Sequence, residues 1–250
     1  MTKYVTTLAF VLFAYNYSLA TWSIIIIDPE TKEIGIAGAS CTYSCYGIGK
    51  IIPNVGAIIV QAMSNSQARE KGIHMILAGA PPEQIIEAMR DSIFDPERQQ
   101  YAVITIKYIQ EPRIYTGQLT HSINGGLTDY GVSVQGNTLA SDQELEAIMI
   151  AVRAGKENLL HIAELLMTAL EAGSVAGGDK RCGEQKATSA FLIVAKPTDK
   201  KPYLDLLIFG QGKGKQNAVD LLRIKYNKWK SKHGDQLTTP QLNKSESNKS

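Results

Sequence analysis

The chain has 250 residues, 44% of them hydrophobic, and a formal net charge of +2. That apolar fraction excludes a disordered protein, and the near-balance of charge gives no ground for nucleic-acid binding. The length suits one sizeable domain or two small ones.

Met1–Tyr4 carries one cation, Lys3, and no acid; Val5–Tyr15 is mainly apolar and uncharged; Ser18-Leu19-Ala20 puts small residues where a signal peptidase cuts. This order is that of a secretory signal. The apolar run is shorter than the roughly 20 residues a permanent membrane helix needs. The expectation is a cleaved signal over residues 1–20, export to the periplasm or the extracellular space, and a mature chain starting at Thr21.

Trp22–Asp28 and Ile34–Ala39 are β-branched or small apolar runs around a polar turn, which predicts a buried hairpin, and Gly56–Met63 predicts a third strand. Ser66–Ala78 and Pro82–Ile93 follow as helices on the spacing of Ile73, Ile76 and Leu77, then Ile85, Ile86 and Met89. Tyr101–Tyr108, Arg113–Gly117 and Gly131–Gln135 read as strands. Asp142–Ala154, with Ser141 as its candidate cap, and Leu159–Ala172 read as helices, the second stopped by Gly173. Thr188–Ala195 and Tyr203–Phe209 pair as strands, and a basic helix, Lys215–Lys230, closes the domain.

Paired helices alternate with blocks of antiparallel-looking strands, which disfavours a doubly wound parallel sheet. The expected fold is α+β, a four-layer αββα sandwich of two mainly antiparallel sheets over residues 21–232. Residues 233–250 read as a disordered polar tail. The cations from Lys213 to Lys232 read as a solvated helix face with at most weak contact to an anionic envelope.

Three cysteines are present: Cys41, Cys45 and Cys182. In an oxidising compartment a disulfide from Cys182 to Cys41 or to Cys45 is expected, leaving one thiol over. Cys41 and Cys45 lack the further ligands of a zinc site. His74, His121, His161 and His233 have no metal-ligand spacing, and His161 with Glu164 reads as a surface pair. Gly210–Lys215 lacks the spacing of a phosphate loop. No metal or cofactor is called for.

Signal cleavage would give Thr21 a free α-amine beside its hydroxyl. An α-amine titrates at about 7.7–8.0, so it is a usable base near neutral pH. A threonine activated by its own amine is an established covalent nucleophile.

The segments Thr21-Trp22-Ser23-Ile24, Asp28-Pro29-Glu30-Thr31, Gly35–Ser40, Gln61-Ala62-Met63-Ser64-Asn65, Val134-Gln135-Gly136-Asn137, Ala176–Arg181 and Ser189-Ala190 occur in this order. In these the chain resembles a large family of bacterial and archaeal proteins of unknown function, usually assigned to the Ntn-hydrolase (N-terminal nucleophile) superfamily. The resemblance covers roughly residues 21–210, and Cys182 stands where that family commonly has glycine. It implies the same αββα sandwich and hydrolysis of an amide, in a small molecule or a peptide, by Thr21. Candidate helpers are Asp28 to orient the amine, Ser40 across the hairpin, and Asn65 and Asn137 as amide donors. Gln135, Asp179, Lys180 and Arg181 are candidate substrate contacts. Neither Lys50 nor Lys180 is convincingly placed to assist the nucleophile. A homo-oligomer is left open, as is a catalytically silent binding protein of the same fold.

Overall fold

The structure is a computed structural model and describes residues 21–237, so the predicted signal (1–20) and the last residues of the predicted tail (238–250) lie outside the described residues. In chain order come β1 (Thr21–Ile27), β2 (Ile34–Ser40), β3 (Gly49–Ile52), β4 (Gly56–Ala62), α1 (Ser66–Leu77) and α2 (Pro82–Met89). Then follow β5 (Gln99–Thr105), β6 (Arg113–Thr116), β7 (Gly125–Asp129), β8 (Val132–Asn137), α3 (Glu144–Glu157) and α4 (Ile162–Ala176). Last come β9 (Ser189–Ala195), β10 (Leu204–Ile208) and α5 (Ala218–His233).

The strands form a six-stranded sheet, β10-β9-β2-β1-β8-β7, and a four-stranded sheet, β3-β4-β5-β6, with every pairing antiparallel. The two-residue alternation of side chains assigns the layers. Trp22, Ile24 and Ile26 of β1 pack with α3, α4 and α5 on one face of the larger sheet, whereas Ile25 and Ile27 enter the space between the sheets. Ile58 and Val60 of β4 face α1 and α2 on the far side. The larger sheet is thus backed by α3, α4 and α5 and the smaller by α1 and α2, with an apolar layer between them, and the order of layers is αββα as expected.

Several boundaries differ from expectation. Gly173 does not stop α4, which runs on to Ala176 and is capped at Gly177. A Cβ on Gly173 would lie 2.7 Å from the Trp22 indole nitrogen, so this glycine lets α4 approach the start of β1. Trp22 Nε1 donates to the Leu170 carbonyl at 3.3 Å, tying β1 to the same helix. Helical structure also persists past residue 232, through His233 and a short 3-10 segment, Gly234–Leu237. His233 stacks on Trp229 there, and Leu237 packs on the core.

His161 is not a surface partner of Glu164. Its Nε2 meets Glu33 Oε2 at 3.1 Å, and its Nδ1 accepts the Ala163 N–H at the start of α4. Glu164 instead binds Arg223 and Lys230 of α5. Those two cations of the basic helix are therefore engaged inside the domain, while Val219, Leu222 and Tyr226 bury its apolar side.

Candidate functional site

At the end of the sandwich where β1 begins, four buried polar residues form one row across four strands. The register pairs Ser189 with Ser40, Ser40 with Thr21, and Thr21 with Asn137. All four belong to the same side of the larger sheet as Ile25 and Ile27, the side facing β4 and β5. Directly paired residues hold their Cβ atoms roughly 4.5–5.5 Å apart, so Ser40 and Asn137 flank Thr21.

One layer deeper lies a buried hydrogen-bonded chain. Ser133 Oγ donates to Gln135 Oε1, Gln135 Nε2 to Ser23 Oγ at 2.7 Å, and Ser23 Oγ to Gln61 Oε1 at 2.6 Å. Gln61 Nε2 donates both to the Thr21 carbonyl, 3.2 Å, and to Gln100 Oε1, 2.7 Å. Gln100 Nε2 donates to the carbonyls of Gly125 and Gly136 and to Thr116 Oγ1. Because carbonyls can only accept, they fix the amide of Gln100, and its Oε1 must then accept from its neighbours. Asn137 Nδ2 does donate to it, at 3.3 Å. The same logic leaves Asn137 Oδ1 as a buried acceptor without a partner among the described residues. Such a group costs about 1–3 kcal/mol while unmet.

The backbone is strained at this end. Ala62 at the end of β4, Ser64 just after it and Thr138 after β8 have φ of 67°, 45° and 53°. For a β-branched residue such as Thr138 a positive φ is an outlier, and strain of this kind gathers at functional sites.

The loops after the row are tied down. Cys41, next to Ser40, is bonded to Cys182, with Cα atoms 5.6 Å apart, which resolves the pairing. Cys45 is the free thiol and is buried; burial pushes it up to about 12, so it is not a nucleophile at neutral pH. The buried Asp179 carboxylate accepts the Cys41 N–H at 2.7 Å. It also takes a two-pronged contact from Arg181, Nε to Oδ1 at 3.0 Å and Nη2 to Oδ2 at 2.7 Å. Asp179 and Arg181 therefore answer each other and hold the Cys41 loop against the Gly178–Arg181 turn. Beneath that turn, Glu144 is fully buried, and neither carboxyl oxygen meets hydrogen-bond geometry with a partner among the described residues. Burial pushes its carboxyl up to about 9, the Asp179 charge adds to this, and the nearby Gly178 and Ala140 amides oppose it.

The other expected site residues are placed as follows. Asp28 sits at the opposite end of β1 from Thr21 and accepts the N–H groups of Glu30 and Thr31; it shapes the β1–β2 turn and is out of reach of the row. Asn65 is the cap of α1, accepting from Gln67 and Ala68 and donating to the Phe94 carbonyl, so its amide is spent on the helix start. Gln135 is in the deeper chain with both amide ends used, and is fully buried rather than open to a ligand. Lys180 is exposed beside the disulfide. Lys50 pairs with Ile58, whose side chain belongs to the α1 layer, so it stands outside the inter-sheet space. The residues that sequence reasoning missed are Ser23, Gln61, Gln100 and Ser189. Ser23, Gln61 and Ser189 lie in the segments that carry the family resemblance, whereas the signal of Gln100 is a polar residue at an inward position of an otherwise apolar strand.

The family of unknown function DUF1028 matches residues 21–213. The chain belongs to that family. A crystal structure of another member, protein SPO2555 from Silicibacter pomeroyi, is similar to it with a TM-score of 0.72 and 26% identity, over 87% of this chain and 93% of that one. No curated protein matches the chain. The family match begins at Thr21, the first residue of β1 and the centre of the polar row.

Proposed function

We propose that the protein is an exported hydrolase that cleaves an amide bond through Thr21, once removal of residues 1–20 has exposed its α-amine. The observation that carries this reading is the setting of Thr21: flanked by Ser40 and Asn137 in a buried polar row, with the Asn137 Oδ1 acceptor unmet. A new α-ammonium at Thr21 is a donor of the kind that acceptor lacks. This adds to the expected role of Asn137: one N–H of its amide goes to Gln100, and its Oδ1 is an acceptor that can hold an amine.

In the proposed cycle the Thr21 hydroxyl attacks the substrate carbonyl and passes its proton to the α-amine. The amine gives that proton to the leaving nitrogen as the C–N bond breaks, leaving an ester on Thr21. Water then cleaves the ester by the same route, releasing the acid and restoring the hydroxyl. Gln61, bonded to the Thr21 carbonyl, fixes the strand end against recoil.

The test has two stages. The N-terminal mass of exported protein should begin at Thr21; a start elsewhere ends the proposal. An acylating probe should then label the mature protein but not Thr21→Ala, and equal labelling would leave a binding protein of this fold. Asn137→Leu should shift the pH profile of labelling toward acid, because losing an acceptor for the ammonium lowers the amine's affinity for its proton.

A further inference from the structure

The two sheets do not cover each other fully. β3 lies against β2, and β6 against β7, so β9 and β10 of the larger sheet project beyond β3. Tyr46 fills part of this overhang, edge-on to Phe191 of β9. Past Tyr46 a groove of about 690 Å³ remains open, with Ile36, Ile51 and Ile193 among its lining residues. It is the place where the apolar layer between the sheets reaches the surface.

The wall of this groove is a free strand edge. The Val60 N–H donates to the Ile48 carbonyl, so with the register Lys50 to Ile58 and Ile52 to Gly56 the even-numbered residues of this strand face β4. Gly49 and Ile51 then turn their N–H and C=O groups away from β4 toward the groove, and no strand pairs with that side. Three cations line the same groove, Lys50, Arg69 and Lys200. None takes part in the ion pairs of the described residues. Of the two acids there, Glu70 and Asp205, Asp205 already accepts the Tyr46 hydroxyl at 2.8 Å.

We propose that this overhang binds an extended acidic peptide, which adds to the edge of β3 as a fifth strand of the smaller sheet. Strands pair at about 4.8 Å spacing, and a strand added here would lie over the uncovered part of β9. Its side chains would alternate: those turned inward meet Ile193, and those turned outward meet Lys50 and Arg69. The fitting sequence therefore alternates apolar and acidic residues. An acyl chain would leave the main-chain groups of Gly49 and Ile51 unanswered, and a second copy of the same groove would bring like charges together.

The proposal does not depend on chemistry at Thr21, and the experiment is read on the Thr21→Ala chain as well as on the natural one. A fluorescein-labelled six-residue peptide alternating glutamate and valine is titrated with the full chain by fluorescence anisotropy. Binding should be micromolar, at least tenfold weaker for the peptide with lysine in place of glutamate, and at least tenfold weaker for Lys50→Glu combined with Lys200→Glu. Methylating the backbone nitrogens that would face β3 should abolish it. Circular dichroism confirms that the charge-reversed chain is folded. Three results overturn the proposal. One is equal affinity for the lysine peptide. Another is indifference to N-methylation, which would mark an anion site without strand addition. The third is a dimer that the charge reversal dissolves, which would mean a second copy fills the groove. Equal binding by Thr21→Ala is expected, so failure of the nucleophile reading leaves this result standing.

Discussion

Along β1, β4 and β5, the same strands bury isoleucine and alanine toward one end of the inter-sheet space and threonine, serine or glutamine toward the other, while β8 turns only Ser133, Gln135 and Asn137 inward. The apolar end, with Ile25, Ile27, Ile59 and Ile104, is held by contact alone. The polar end, with Ser23, Gln61, Gln100, Gln135 and Asn137, is just as buried but must satisfy each donor and acceptor through named partners. Buried polar networks gain little net stability over apolar packing and lose heavily when a member is removed. A chain selected for stability alone would have continued the isoleucines. The difference locates where stability has been given up, and the unmet Asn137 acceptor and three left-handed residues lie at that same end.

Substitutions at the two ends test the contrast. At the apolar end Ile59→Ala should cost about 3–4 kcal/mol in urea unfolding, through lost burial and the cavity left behind. A loss under about 1 kcal/mol there would mean that the sandwich is loosely packed. Beside the polar row, replacing Cys41 and Cys182 together by serine should cost about 3 kcal/mol, the middle of the range usual for a disulfide; the fall in thermal midpoint measures it. Gln100→Leu should cost about 2–3 kcal/mol, because it strips partners from Gln61 and Asn137 and from the Gly125 and Gly136 carbonyls.

Glu144→Gln should stabilise the protein, and the sign of its pH dependence follows from the carboxyl. Its folded value is raised to about 9 from an ordinary 4.5. The folded state therefore binds the extra proton between those values, and native stability declines as pH rises through that window. The glutamine variant removes that decline, so its gain is small at pH 4 and grows by up to about 1.4 kcal/mol per pH unit toward pH 8. Urea midpoints at the two pH values give the answer, and a gain that does not grow with pH would show that Glu144 is not held protonated. The smallest effect is expected from Asn137→Leu, which removes an unmet acceptor with one weak donor bond. Its stability should change by less than about 1 kcal/mol, while the labelling profile of Thr21 moves. Within one network, Gln100 would then be structural and Asn137 functional.

Much of this was legible along the chain, and the failures have physical causes. The runs Trp22–Asp28 and Thr188–Ala195 read as strands because both their faces are covered by hydrophobic layers. β3 and β7 did not: each is short and carries glycine, and β3 exists because β4 offers it an edge. Gly126 of β7 is there because a Cβ would lie 2.5 Å from the Ile114 side chain of the opposite sheet, a contact with no local signature. Of the candidate site residues, Thr21, Ser40 and Asn137 come together because they lie at strand ends that the register aligns. Asp28 immediately follows the strand that Thr21 begins, and seven residues of extended chain separate the two ends.

By itself the sequence determined the layer order and singled out Thr21 as the proposed nucleophile, because alternation and composition are written locally. Only the tertiary structure decided which cysteine pairs with Cys182, that Asp179 and Arg181 bind each other, and that Asn137 is left with a free acceptor. Each of these depends on the mutual distance of residues far apart in the chain. A one-residue change of register would move Asn137 to the other face of its sheet, away from Thr21.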